Sequence, residues 1–401
     1  MKLHKNNALL KKVLRVISEA SQTKSKMAIR FPVQFPHFIE RGKGSHVWDV
    51  DGNEYIDWIC GLGPISIGYG YELYEGVKPT VFSLPSPKEA ELAELLCNII
   101  PCAEMVRFGK NGGDADMAAV RLARAITGRE NVAYCGYHGC MDWYAHQITP
   151  NKGTLAQPLR EFKYNDINSL DDILDDTIAC VIMEVPPEEP ENNFLQKVID
   201  RAHSVGALFI LDEVVTGFRY SLGGAQEFYN IMPDLATFGK GMANGYPISA
   251  IVGKREYMEH FSDIFFSTTF GGEVGSIEAS IRTINYMMDN DVISHIWWIG
   301  ALLRGGILEL AKNHGLDINL RGNPPRSILD FPGDADFRTK SLFLQKVAQH
   351  GVLMGVPIFP NWSHSRDDVE ETLSAIDNAF YAITDGAELI GEPLRLAGIR
   401  K

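Results

Sequence analysis

The sequence predicts an α/β protein: a mostly parallel central sheet with flanking helices, and a smaller α+β domain beside it. Three observations carry that reading. From about residue 86 to 290, short apolar runs alternate with segments of helical period. Several of these runs, Ile178 to Met183 above all, are apolar throughout, the pattern of strands covered on both faces. After about residue 295 the alternation stops and helices and a Pro/Gly-rich stretch take over.

Each element follows in order. The Lys-rich first 26 residues carry Leu10, Val13, Leu14 and Ile17 on one helix face, which predicts a docked terminal helix rather than a secretory signal. Val47 to Trp58, with the turn Asp51-Gly52-Asn53, predicts a β-hairpin. Glu89 to Ile99 is an amphipathic helix, and Met105 to Phe108 a short strand. Asp114 to Ile126 places Ala, Leu and Arg at helical spacing, and Val132 to Tyr134 is a strand. Ile178 to Met183 is a buried strand, Leu195 to Val205 a helix, and Ala207 to Leu211 a further buried strand. Leu235 to Phe238 and Ile248 to Val252 are two more strands, closed by a helix over Ile277 to Met288. Beyond lie a helix, the stretch Gly322 to Gly333, a helix near Thr339 to His350, and a last helix from Asp367.

Composition excludes several function classes. The chain has 38 Lys+Arg against 51 Asp+Glu, a formal net charge of -13 over 401 residues. That balance opposes binding to nucleic acid or to anionic membranes, while leaving room for a local anion pocket. No apolar run approaches the ~18 residues of a membrane span. Six cysteines form no CxxC pair, so no metal is expected and a reducing cytoplasm is.

Four features point to chemistry. Gly109-Lys110-Asn111-Gly112-Gly113-Asp114 joins a strand to a helix, where backbone N–H groups and the positive dipole end suit a phosphate. By itself a plain turn explains it equally well. Tyr137-His138-Gly139 follows the next strand, where an aromatic can stack on a planar ligand or simply pack. Asp212 closes an apolar strand, at the edge where α/β sheets bind ligands; it needs a cation, a helix end or a salt bridge to meet its charge. Lys240 stands between two glycines after a short strand, and lysines in dry pockets attack carbonyls. The same tripeptide at Gly42-Lys43-Gly44 precedes a polar hairpin, so position rather than sequence singles out Lys240.

Taken together and in order, these segments resemble the class III aminotransferases, pyridoxal-phosphate enzymes of fold type I. The likeness is greatest to the glutamate-1-semialdehyde branch. It rests on Val47 to Asp57, Arg121 to Arg129, Tyr137 to Gly139, Asp212 to Arg219 and Pro233 to Gly241. The resemblance implies a large cofactor-binding domain over 46–295 and a small domain built from both termini, 1–45 and 296–401.

It also implies roles. Lys240 would hold pyridoxal 5′-phosphate as a Schiff base, and Asp212 would keep the ring nitrogen protonated. Val214 and Tyr137 would cover the two ring faces. Backbone N–H groups of Asn111, Gly112 and Gly113 would receive the phosphate, and Thr269 would reach it from a second subunit of a homodimer with shared sites. Glu189 is a candidate because related enzymes place a cofactor- or substrate-contacting residue near it, and Arg30 is a candidate for a substrate carboxylate. The implied activity is transfer of an amino group between an amino donor and a small carbonyl acceptor. An aminomutase that shifts an amine within one molecule, a racemase and a decarboxylase are the alternatives on this scaffold. Two departures stand out. Asn111-Gly112-Gly113-Asp114 replaces the family's Ser-Gly-Thr-Glu, and Gly272-Glu273-Val274 replaces its Gly-Asn-Pro.

Overall fold

A computed structural model describes residues 1–150 and 152–395. Two compact units emerge, one from residues 1–62, 67–71 and 294–401, the other from 63–66 and 72–293. The hairpin at 46–57, expected within the large domain, therefore belongs with the two termini.

In the first unit, β1 (Ile39–Lys43), β2 (His46–Asp49) and β3 (Glu54–Asp57) form an antiparallel meander. The second unit carries β4 (Met105–Gly109), β5 (Asn131–Cys135), β6 (Leu159–Glu161), β7 (Ile178–Glu184), β8 (Leu208–Asp212), β9 (Leu235–Phe238) and β10 (Ser249–Gly253). The first unit resumes with β11 (Asn319–Arg321), β12 (Ile328–Asp330) and β13 (Val352–Leu353), the last pairing in parallel with β3. Its core gathers Trp58, Ile299, Leu303, Phe343, Val347, Ile376 and Phe380 around the helices Val292–Asn313, Arg338–Gln349 and Arg366–Thr384.

The second unit's sheet has the order β4-β10-β9-β8-β7-β5-β6. β5 to β9 are parallel, while β10 runs antiparallel to both β9 and β4. β7, β8 and β9 are buried at every residue, as their unbroken apolar runs require. The direction of β10 was not legible, because a buried apolar run reads the same whichever way its neighbours point.

Two helices show how local sequence fixes the frame. Pro87–Ile99 starts with Pro87 in its first turn and a reciprocal Ser86/Glu89 cap, an arrangement worth about 1 kcal/mol. Gly112–Thr127 buries Ala115, Ala118, Ala119, Leu122 and Ala123 and ends at Gly128 in the left-handed conformation. Its small side chains let it lie close on the sheet, which places its first turn at the carboxyl ends of the strands.

The N-terminal segment differs from expectation. Its helix spans only His4–Val13, and Leu14 is exposed. What docks it is polar: Asn6 is fully buried and donates to Asp49 and Asp51 at 3.1 Å each, while its carbonyl oxygen accepts from the N–H groups of His37 and Phe38.

Candidate active site

The carboxyl ends of β7, β8 and β9 bring Glu184, Asp212 and Thr237 side by side in register. Asp212 is buried; one of its carboxylate oxygens accepts from the Val214 N–H at 3.0 Å and the other faces His138 Nδ1 at 2.9 Å. His138 is wholly buried, with its other ring nitrogen 3.2 Å from the Cys135 carbonyl and Trp143 stacked on it. A histidine that reads as ordinary packing in the sequence is thus tied to the strand-end carboxylate. Its only signal was its place between Tyr137 and Gly139.

The glycines bring the other segments in. A Cβ on Gly112 would lie 2.6 Å from Val214 Cγ1, so only glycine lets the helix start pack directly on that residue. One on Gly239 would lie 3.7 Å from the same methyl group. Val214 therefore sits against both the phosphate turn and the residue before Lys240. A Cβ on Gly139, at φ +85°, would lie 3.0 Å from Gly113 Cα. Lys240 itself holds φ at +41°, a conformation costly for a side-chain-bearing residue and tolerated where the surroundings impose it.

The phosphate turn needs one correction. Asn111 caps the helix Gly112–Thr127, and its N–H donates to the Asp114 carboxylate at 2.8 Å, as does that of Lys110 at 3.1 Å. The Asn111 N–H is therefore spent on the cap, which leaves Gly112 and Gly113, whose amides have no acceptor within the helix. Lys110 reaches Glu273 at 3.2 Å. Burial lowers the Lys110 amine. Burial alone would raise the Glu273 carboxyl, but bonds from Ser276, Gly275 and Lys110 hold it at about 2. Glu273 also caps Val274–Asp289 by accepting from Gly275 and Ser276. This explains the glutamate that the motif comparison left without a role.

Tyr137 stands edge-on to Tyr144, and its N–H meets Glu184 at 3.4 Å. The remaining candidates have their described contacts elsewhere. Thr269 is exposed on a segment that also exposes Phe265 and Phe270. Glu189 is exposed and accepts from the Tyr229 hydroxyl at 3.0 Å. Arg30 belongs to the other unit, where its Nε donates to the Lys24 carbonyl at 3.4 Å. A residue missed from sequence is Asp116, buried one turn after Gly112 and hydrogen-bonded to the Thr237 hydroxyl at 2.7 Å.

The family model for class-III aminotransferases matches residues 30–380. The chain belongs to that family. This class-III aminotransferase is 36% identical over 369 residues to a 3-aminobutyryl-CoA aminotransferase of Cloacimonas acidaminovorans, with 86% of this chain and 89% of the relative covered. It is 34% identical over 393 residues to a glutamate-1-semialdehyde 2,1-aminomutase of Methanosphaera stadtmanae, covering 86% and 92%. Among solved structures, the FumI protein of Sphingopyxis sp. MTA144, determined in its PLP internal aldimine form, superposes with a TM-score of 0.89 at 30% identity, covering 95% of this chain and 96% of that one.

The aminotransferase is thus a pyridoxal-phosphate enzyme of fold type I, and its own residues suit that group. A helix start without side chains accommodates a phosphate, a buried carboxylate with few donors suits a protonated ring nitrogen, and the residue before a strained lysine lies against the same Val214 as the helix start.

Proposed function

We propose that this enzyme transfers an amino group from an amino donor to a small carbonyl-containing acceptor, with the residues at the ends of β7 to β9 holding the cofactor. The observation that carries the reading is the position of Val214, packed against both Gly112 and Gly239, which joins the phosphate turn to the lysine strand. The amides of Gly112 and Gly113 would hold the phosphate at the positive end of their helix, with Asn111 as its cap. Asp212, kept in place by His138 and the Val214 N–H, would hold the proton on the ring nitrogen. Val214 and Tyr137 would flank the ring. The bound cofactor supplies an aldehyde for the amine and a ring that takes up the electron pair released at the substrate carbon. The Lys240 amine would bind the aldehyde carbon at rest and carry the proton at the substrate carbon during turnover.

Thr269 would complete the phosphate site of a second copy, in a homodimer; the exposure of Thr269, Phe265 and Phe270 on one segment supports this. No described helix is long and apolar enough to cross a membrane, and all six cysteines are thiols, which supports a cytoplasmic setting. Glu189 and Arg30 remain candidates for substrate contacts.

The aminomutases among the relatives favour a second reading, in which the amine moves within one substrate. One experiment separates them. Incubated with amino donors alone, the yellow enzyme should pass to its amine-bearing cofactor form and release a keto product. Turnover of a single amino-carbonyl substrate, with no such half-reaction, would establish the isomerase. A wild type that stays colourless after incubation with cofactor would refute both. In the same assay Thr269→Val should loosen cofactor retention, and unchanged retention would count against the shared site.

A further inference from the structure

Asp116 lies one helical turn beyond Gly112, on the same face of its helix, and is 2% exposed. Its carboxylate accepts from Thr237, the β9 residue in register with Asp212. Asp116, His138 and Asp212 each bring a polar atom within 4.8 Å of the others. His138 meets an acceptor at each ring nitrogen, the Asp212 carboxylate and the Cys135 carbonyl, so it offers Asp212 one hydrogen bond at most. Two carboxylates so close in a dry interior cannot both stay ionised cheaply.

We propose that Asp116 is a positioning residue that stores one proton beside Asp212 in the cofactor-free site and gives it up when the cationic ring nitrogen arrives. This rests on Asp212 being the residue that meets that nitrogen. On loading, the Asp116 O–H breaks, its electron pair stays on the carboxylate and the proton passes to the buffer; on unloading it returns. The loaded site then sets two carboxylates against the ring cation, so the nitrogen's proton is held more firmly than Asp212 alone would hold it.

The electrostatics agree in direction. Burial and then the Asp212 charge push the Asp116 carboxyl well above its ordinary range. The Thr237 hydroxyl and the Lys240 charge oppose the rise, and Glu184 adds to it. A further cation at Asp212 would lower it again. Because loading releases a proton, cofactor affinity should rise with pH across this titration.

The test titrates cofactor-free, full-length protein with pyridoxamine 5′-phosphate, which has no aldehyde and forms no bond to Lys240. Calorimetry in two buffers of different ionisation enthalpy counts the protons released. Wild type should release about one proton more per site than Asp116→Asn, and the variant's affinity should lose the rise with pH, at most about tenfold per unit. Equal proton counts would overturn the proposal while leaving the cofactor reading intact. Failure of wild type to bind pyridoxamine 5′-phosphate would refute that reading, and this one with it. Should Asp116→Asn not fold, the infrared difference between loaded and cofactor-free wild type decides. Loss of a neutral-carboxyl carbonyl band on loading supports the stored proton; an unchanged carboxyl region overturns it.

Discussion

Two buried aspartates invite comparison. Asp49, in the unit built from the termini, is fully buried, and five donors meet it: the N–H groups of Asp51 and Asn53, the amides of Asn6 and Asn53, and the Tyr55 hydroxyl. Asp212, in the other unit, is nearly as buried but among the described residues accepts from the Val214 N–H and meets His138, with the Asp116 carboxylate within 4.8 Å. Burying a carboxylate costs several kcal/mol unless donors or a cation offset it. The first site is complete as it stands. The second has fewer donors for a carboxylate as deeply placed, which is what a site built for a cationic group looks like before that group is counted.

Removing the reacting groups gives the sharpest break between the two. Lys240→Ala should lower turnover by about 10²–10⁴-fold, the usual worth of a positioned proton carrier, and abolish the lysine-linked absorbance. Asp212→Asn should lose turnover on a comparable scale through the ring nitrogen, yet leave the melting temperature of the cofactor-free protein near that of wild type, because an amide of the same shape can still accept from the Val214 N–H and meet His138. A large loss of stability in Asp212→Asn would erase the distinction drawn here.

Asp49→Ala should do the reverse. It strands the Asp51 and Asn53 N–H groups and takes one partner each from Asn6, Asn53 and Tyr55, so unfolding free energy should fall by about 3–5 kcal/mol, while cofactor affinity in the surviving folded fraction stays unchanged. Urea unfolding beside a cofactor titration measures both. A smaller step tests the close approach at the phosphate turn. Gly112→Ala would press a Cβ to 2.6 Å from Val214 Cγ1, an overpacking worth about 1–3 kcal/mol, so cofactor affinity should drop by roughly ten- to a hundredfold. Gly112→Ala combined with Val214→Ala should recover part of it, and no recovery would mean that the turn is disturbed by something other than that contact.

The same contrast explains what could be read in the sequence. Lys240, Asp212 and the glycines of the phosphate turn stood out because a charge or a glycine at the end of an apolar strand is conspicuous against its neighbours. The parallel β7, β8 and β9 were equally plain, as was the hairpin around Asp51-Gly52-Asn53. Asp116 was not, because an acid in the second turn of an alanine-rich helix reads as a solvated face until the sheet beneath is known; only its spacing of four from Gly112 hinted otherwise. Asn6 was hidden for the mirror-image reason: the apolar stripe of Leu10, Val13, Leu14 and Ile17 is conspicuous, while the docking is done by one amide. Glu189 and Thr269 kept their places as candidates but join nothing in the cluster, since contacts with a substrate or a second copy leave no trace within one chain.

The smallest effect concerns a matched pair in the unit of the termini and fixes the sign of its pH dependence. His46 Nε2 lies 2.9 Å from Asp368 Oδ1, and Ser45 and Ser365 donate to the same carboxylate. The bond to Asp368 raises His46 above its ordinary 6.5. Burial alone would raise Asp368, but the bonds from His46, Ser365 and Ser45 hold it at about 2, below its ordinary 3.8. A raised histidine stabilises fully below 6.5 and loses that contribution as pH climbs through its folded value; a lowered aspartate stabilises above 3.8 and loses it as pH falls toward 2. The pair should therefore contribute most between about pH 4 and 6.5, by roughly 1 kcal/mol for so partly exposed a histidine. Glu213, pushed by burial to about 7 in the other unit, loses stabilisation over the range from 4.5 upward in wild type and variant alike, so the difference between the two curves isolates His46. Melting temperatures of wild type and His46→Gln should converge as pH rises past the histidine's folded value and separate below it; a constant gap from pH 5 to 9 would show that the pair contributes no linked proton.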